Sequence, residues 1–144
     1  MIDINQKKEK VLADLRDIQS TEDRYKFIIE MGRKLPALTD DQRSEKFLIQ
    51  GCMSRAWLIP ESVDGKLYFH VDSEAAIVKG IMAILAAVYS GNKPEENLTL
   101  PPDFLKEGGI TEHLSMNRRS GLSSVVKQMM LYSMVFKNLS VKSN

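Results

Sequence analysis

Residues 57–71 read Trp57-Leu58-Ile59-Pro60-Glu61-Ser62-Val63-Asp64-Gly65-Lys66-Leu67-Tyr68-Phe69-His70-Val71. Two strand-like runs meet at Ser62-Val63-Asp64-Gly65, and an Asp-Gly pair readily takes the positive backbone dihedrals of a tight hairpin turn. Residues 57–60 form one strand candidate. Residues 66–71 alternate, with Leu67, Phe69 and Val71 on one side and His70 on the other, facing solvent. Upstream, residues 47–50 read as a further short strand. These runs describe a small antiparallel meander, with Gly51-Cys52-Met53-Ser54-Arg55-Ala56 in the connection between its first two strands.

Helical patterns lie on both sides. Residues 6–18 place Val11, Leu12, Leu15 and Ile18 on one face. Ser20 or Thr21 offers an N-cap to a second helix carrying Tyr25, Ile28, Ile29 and Met31, which Gly32 and Pro36 close. Residues 36–45 are polar and turn-rich. Asp72 or Ser73 is positioned to cap a third helix running to about Tyr89, apolar on nearly all sides and hence expected at the centre. Gly91 and Pro94 end it. A short segment with Phe104 and Leu105 follows Pro101-Pro102 and stops at Gly108-Gly109. The last helix is expected over residues 118–138, with Leu122, Val125, Val126, Met129 and Met130 at helical spacing. Clustered strands between helices indicate an α+β fold, not a parallel βαβ sheet.

The 144 residues suit one domain and one core. A net charge of +1, from 20 basic and 19 acidic residues, argues against a mainly electrostatic nucleic-acid binder. No apolar run reaches the roughly 18 to 20 residues of a membrane span. The first residues lack the basic start and apolar stretch of a signal peptide, so a cytoplasmic location is the expectation. A reducing compartment also suits an unpaired thiol.

Cys52 is the only cysteine. It cannot form an internal disulfide or a multi-thiolate metal site, which leaves packing or reactive-sulfur chemistry. Gly51 before it permits an unusual backbone conformation and the close approach of another molecule. His113, just before the last helix, is a candidate base, or a group that lowers the thiol pKa; its alternative is a structural role. Arg118 and Arg119 open that helix, where the helix dipole disfavours cations, and this points to another use than two solvated charges, such as holding an anionic sulfur or a partner's carboxylate. No Walker loop, no GxGxxG after a strand and no HExxH motif occurs. Two histidines without cysteine partners argue against a structural zinc site.

The run Ile49-Gln50-Gly51-Cys52-Met53-Ser54-Arg55-Ala56-Trp57 closely resembles the cysteine loop of the SufE family, sulfur acceptors that partner cysteine desulfurases. Residues 25–36 (YKFIIEMGRKLP) resemble the family's second helix and its ending. Residues 72–80 (DSEAAIVKG) resemble the start of its central helix, and residues 113–122 (HLSMNRRSGL) its entry to the last helix. The blocks keep the family's order over residues 8–138. Met116 stands where proline is frequent in the family and Ala56 where valine is common.

The resemblance implies one SufE-like domain over residues 1–144, with a three-stranded antiparallel sheet flanked by helices, as in IscU-type scaffolds. A single cysteine favours a carrier over a scaffold. The implied activity is acceptance of persulfide sulfur from a cysteine desulfurase onto Cys52, stimulation of that enzyme, and delivery to an iron–sulfur cluster scaffold. Pyridoxal phosphate is expected on the desulfurase, with no cofactor or metal here. The implied roles are Arg118 positioning the loop or its sulfur, His113 secondary, and Gly51 as hinge of a loop that includes Ser54. Asp72, Glu74 and Lys79 are expected on a docking edge for the desulfurase. The alternatives are an acceptor for a second desulfurase system feeding another sulfur pathway, an independent thiol enzyme, and an interaction module with a structural cysteine.

Overall fold

The computed structural model describes residues 3–50 and 54–143, apart from the side chains of His113 and of residues 140–143. Gly51, Cys52 and Met53 therefore lie outside the described residues. The chain forms α1 (Ile4–Arg16), α2 (Thr21–Arg33), β1 (Ala56–Val63), β2 (Lys66–Ser73), α3 (Ala76–Tyr89), α4 (Pro94–Asn97), α5 (Phe104–Glu107) and α6 (Met116–Ser143). The architecture is α+β, with helices around an antiparallel hairpin.

The hairpin forms where the alternation placed it, and both strands extend beyond the expected bounds, to Ala56 and to Ser73. Asp64 and Gly65 take φ of 52° and 81°, the left-handed pair that a two-residue hairpin loop requires. Leu67, Phe69 and Val71 are buried, while His70 faces outward and meets Glu61 at 2.6 Å.

The sheet has two strands, and this corrects the expectation of three. Residues 47–50 contribute a single bridge, Leu48 to Trp57, plus one hydrogen bond in which Ile49 N donates to Ala56 O at 2.8 Å. Two causes limit this edge. Glu45–Phe47 coil into a 3-10 turn, which removes Phe47 from any strand. Pro60 then denies the outer edge of β1 a donor. Its partner Phe69 turns its own N–H away from β1, to Ser90 Oγ, so Pro60 also faces outward. The outer edge of β2 is covered by residues 90–92, through Leu67 N to Asn92 O at 2.9 Å and Gly91 N to Leu67 O at 2.8 Å. Both edges are thus covered by short segments, which protects a two-stranded ribbon from pairing with other chains.

α3 is the central helix. Ile81, Met82, Ile84, Leu85 and Val88 are fully buried, and its neighbours include α1, α2, α6 and β2. The expected cap at Asp72 or Ser73 is not formed. The cap residue is Ala75, without a side-chain hydrogen bond, because β2 runs on through Ser73 and Asp72 is held elsewhere. By contrast, Ser20 caps α2 as expected, accepting from Asp23 N at 3.0 Å. α6 begins at Met116, before the expected position, and extends past residue 138.

A buried polar chain ties the ends of several helices together. Lys7 Nζ donates to Ser90 O and Asn92 Oδ1, both at 2.7 Å, and burial holds its ammonium below the ordinary lysine pKa. Asn92 Nδ2 donates to Asn97 Oδ1, and Asn97 Nδ2 to Ser133 Oγ on α6. Every member has a partner, as a buried network needs if it is to stabilise the fold.

α2 crosses α3 at Gly80. A Cβ there would lie 2.0 Å from Ile28 O, and one on Gly32 would lie 2.9 Å from Gly80 N. The two backbones approach more closely than any side chain allows. We expect Gly80→Ala to cost about 3 kcal/mol, the upper part of the overpacking range. The urea midpoint of unfolding measures it, and a loss below about 0.5 kcal/mol, the range of neutral surface changes, would contradict the close crossing.

Candidate functional site

The segment carrying Cys52 leaves the sheet after Ile49 and rejoins it at Arg55. Both ends are fixed. On the incoming side, Ile49 N donates to Ala56 O. On the outgoing side, Arg55 O accepts from Glu74 N at 3.0 Å and from Ser73 Oγ at 3.1 Å, which carries the ladder one residue past β2. The described residues on either side of Gly51-Cys52-Met53, the two rims, are therefore tied to the sheet and to the turn leading into α3.

Asp72 holds this frame together. Its carboxylate is only 4% exposed. Oδ2 accepts from Arg43 at 2.5 Å, and Oδ1 accepts from Lys79 at 3.1 Å and from Ser73 N at 2.8 Å. Arg43 comes from the stretch before the cysteine segment, and Lys79 from the first turn of α3. One buried anion thus links three parts of the chain, and its partners offset the cost of removing its charge from water.

Trp57 forms a second link. Arg43 lies over its ring at 5.8 Å and Arg55 at 5.5 Å, the cation–π range, and the indole is almost fully buried. Arg55 also pairs with Glu74. The residues flanking the cysteine segment are therefore cationic, with Asp72 and Glu74 fixing where the guanidinium groups sit.

Of the expected docking residues, only Glu74 is exposed. Asp72 points inward, and Lys79 is mostly buried and turned onto it, so neither presents its charge to a partner in this conformation. Sequence reasoning missed Arg43 and gave Arg55 no role. Arg43 stood in a stretch read as a plain loop, and its one signal was a cation near a short strand.

Arg118 is exposed in the first turn of α6, where Ser115 Oγ accepts its backbone N–H at 3.3 Å. It shares a helical face with buried Leu122, Val125 and Met129. The far end of α6 meets Asn97 through Ser133, next to Asn92 and the turn end of the hairpin. Residues 46–50 share a cleft with Ser124, Lys127, Gln128 and Tyr132, which come from the middle of α6 and not from the turn that carries Arg118. Arg119 points elsewhere, and its Nε donates to Thr111 O at 3.0 Å. The backbone of His113 lies in a 3-10 turn, Thr111–His113, ahead of α6. Ser54 is half-buried at the outgoing rim.

Among the described residues, no three His, Cys, Asp or Glu side chains gather as a metal-binding group, and no helix is long and apolar enough to cross a membrane.

Asp72→Asn keeps the shape and removes the charge. We expect it to cost about 1 to 3 kcal/mol, since Arg43 and Lys79 can each return partly to water. Chemical denaturation measures this, and an unchanged midpoint would show that the carboxylate does not hold the frame.

Comparison with known proteins fits this arrangement. Residues 9–133 match the model of the family described as "SufE: Fe-S metabolism associated domain". An uncharacterized SufE-like protein of Rhizobium meliloti (strain 1021) is 33% identical over 125 residues, covering 83% of this chain and 89% of that protein. The solution structure of a hypothetical protein from Thermus thermophilus superposes with a TM-score of 0.76 over 90% of this chain and 95% of that one. At 20% identity, that likeness concerns the fold alone. The family match over most of the chain and the relative at one-third identity agree with the ordered sequence blocks, and the chain belongs to the SufE family, associated with iron–sulfur metabolism.

Proposed function

We propose that this protein is a sulfur acceptor that takes persulfide sulfur from a cysteine desulfurase onto Cys52 and passes it on for iron–sulfur cluster assembly. The observation that carries the reading is the placement of the chain's sole cysteine. It lies in the family's cysteine run, on a segment whose two rims are fixed to the sheet and to the entry of α3.

The chemistry is thiol–persulfide exchange. The Cys52 thiolate attacks the terminal sulfur of the partner's persulfide. A new S–S bond forms at Cys52, the partner's S–S bond breaks, and the partner's sulfur leaves as a thiolate. No electrons are gained or lost overall, so no separate oxidant is needed. The attacking group must be a thiolate, since the thiol is a poor nucleophile. Arg118, in the first turn of α6, positions the loop or its sulfur, and His113 is secondary. Pyridoxal phosphate belongs to the desulfurase, and this chain acts as its co-substrate and activator. Glu74, Arg55 and the segment between the rims form the docking edge, and Gly51 supplies the hinge that lets the loop reach the partner.

Intact-protein mass spectrometry after incubation with free cysteine and a matched desulfurase, without reductant, tests the reading. Added sulfur on Cys52 is expected, and none on a folded Cys52→Ser variant. Sulfur accepted by the serine variant at the normal rate would overturn it. Arg118→Ala should slow transfer about tenfold, or about 1.4 kcal/mol of activation free energy, while Arg119→Ala stays near wild type. Unimpaired rates for both in single-turnover assays would remove Arg118 from the mechanism.

A further inference from the structure

No acidic residue follows Glu112, whereas Arg118, Arg119, Lys127, Lys137 and Lys142 all do, so α6 is wholly basic and the rest of the chain is net acidic. A cleft of about 500 Å³ lies along α6, and Lys127 stands between it and the cleft that α6 shares with residues 46–50. Its floor is apolar, made by Pro102, Leu105, Leu122 and Val126, and its rim carries Lys106, Arg119 and Lys127. Among the described residues, none of these three cations forms an ion pair. The nearby acids Asp103 and Glu107 line a separate depression beyond Lys106.

The surface does not end at the cleft. Arg119, Ser123, Val126, Met130, Met134 and Lys137 follow one another at helical spacing of three and four residues. Met130 is half-buried and Met134 is 52% exposed, so apolar surface continues past the cleft. From Arg119 to Lys137 this face is about 27 Å long at 1.5 Å per residue. That is too long for a small molecule and matches an amphipathic helix laid along a groove. Methionine side chains adapt readily to such a guest. The charge settles what kind of guest it is. A second copy packing α6 against α6 would oppose two wholly basic helices.

We propose that this face is a docking groove for an acidic amphipathic helix of a partner protein, adjoining the cleft beside residues 46–50 at Lys127. Leucine-like anchors of the partner fill the cleft and cover Met130 and Met134, while its carboxylates meet Lys106, Arg119, Lys127 and Lys137. Such an interface gains speed and selectivity from charge and affinity from the buried anchors. It weakens as salt rises.

Fluorescence anisotropy with the full chain tests this. The probe is a blocked, fluorescein-labelled helical peptide of about 18 residues, matched to the face by its rise, with leucine on one side and glutamate elsewhere. Saturable, salt-sensitive binding is expected, with amide NMR shifts at Leu105, Thr111, Val126 and Met130. A composition-matched scramble without the amphipathic pattern should bind at least tenfold more weakly. Lys106→Glu with Lys127→Glu should weaken the probe at least tenfold, and Lys26→Glu on α2 should not. Circular dichroism checks that each variant is folded. Absence of binding, equal binding of the scramble, unchanged affinity in the double variant, or shifts confined to other faces would overturn the proposal. So would binding of phosphatidylglycerol vesicles in place of the peptide, which would make the face a membrane surface.

Discussion

The buried carboxylate of Asp72 is the constraint on which the rest of the site depends. A charge with 4% exposure persists in a fold only where partners surround it, and Asp72 finds them on three sides. Arg43 is drawn in from the loop after α2, Lys79 from α3, and the backbone N–H of Ser73 from the end of β2. The consequence is geometric. The stretch before the cysteine segment, the strand after it and the entry to the central helix become one unit. Trp57, between Arg43 and Arg55, transmits the same constraint to the first residues of β1.

The central helix supplies the second constraint. α3 can bring Lys79 to Asp72 only because Gly80, the next residue, lets α2 approach to backbone contact at Ile28. An ionic contact and a close helix crossing are thus adjacent in the chain and fix the same helix, one at its side and the other at its entry. The polar chain from Lys7 to Ser133 anchors the far end of α6 in the same core.

Much of this was legible in the residues. The Asp64-Gly65 turn, the alternation of Leu67, Phe69 and Val71 and the all-round apolar character of α3 each reflect local chemistry, and each appears in the fold. That residues 47–50 add only a single bridge and no third strand was not legible, because this edge is limited by the direction Pro60 faces, and that follows from the register of the hairpin. Asp72 misled for a related reason. An acidic residue ahead of an apolar helix looks like a cap, and only the tertiary arrival of Arg43 turns it into a buried anchor. The reading of Cys52 as a sulfur acceptor rests on the resemblance, since a lone cysteine carries no pattern of its own. The role of α6 beyond its core face needed the structure, because periodicity alone does not say which flank stays open.

The most direct test of this account is amide hydrogen exchange at Ile49 and Glu74, the two donors that close the rims of the cysteine segment. If Asp72 holds the frame, both amides exchange slowly in the native protein, and Asp72→Asn speeds Ile49 far more than the buried amides of α3. Protection at Ile49 that is unchanged in Asp72→Asn, or absent in the native protein, would contradict the account.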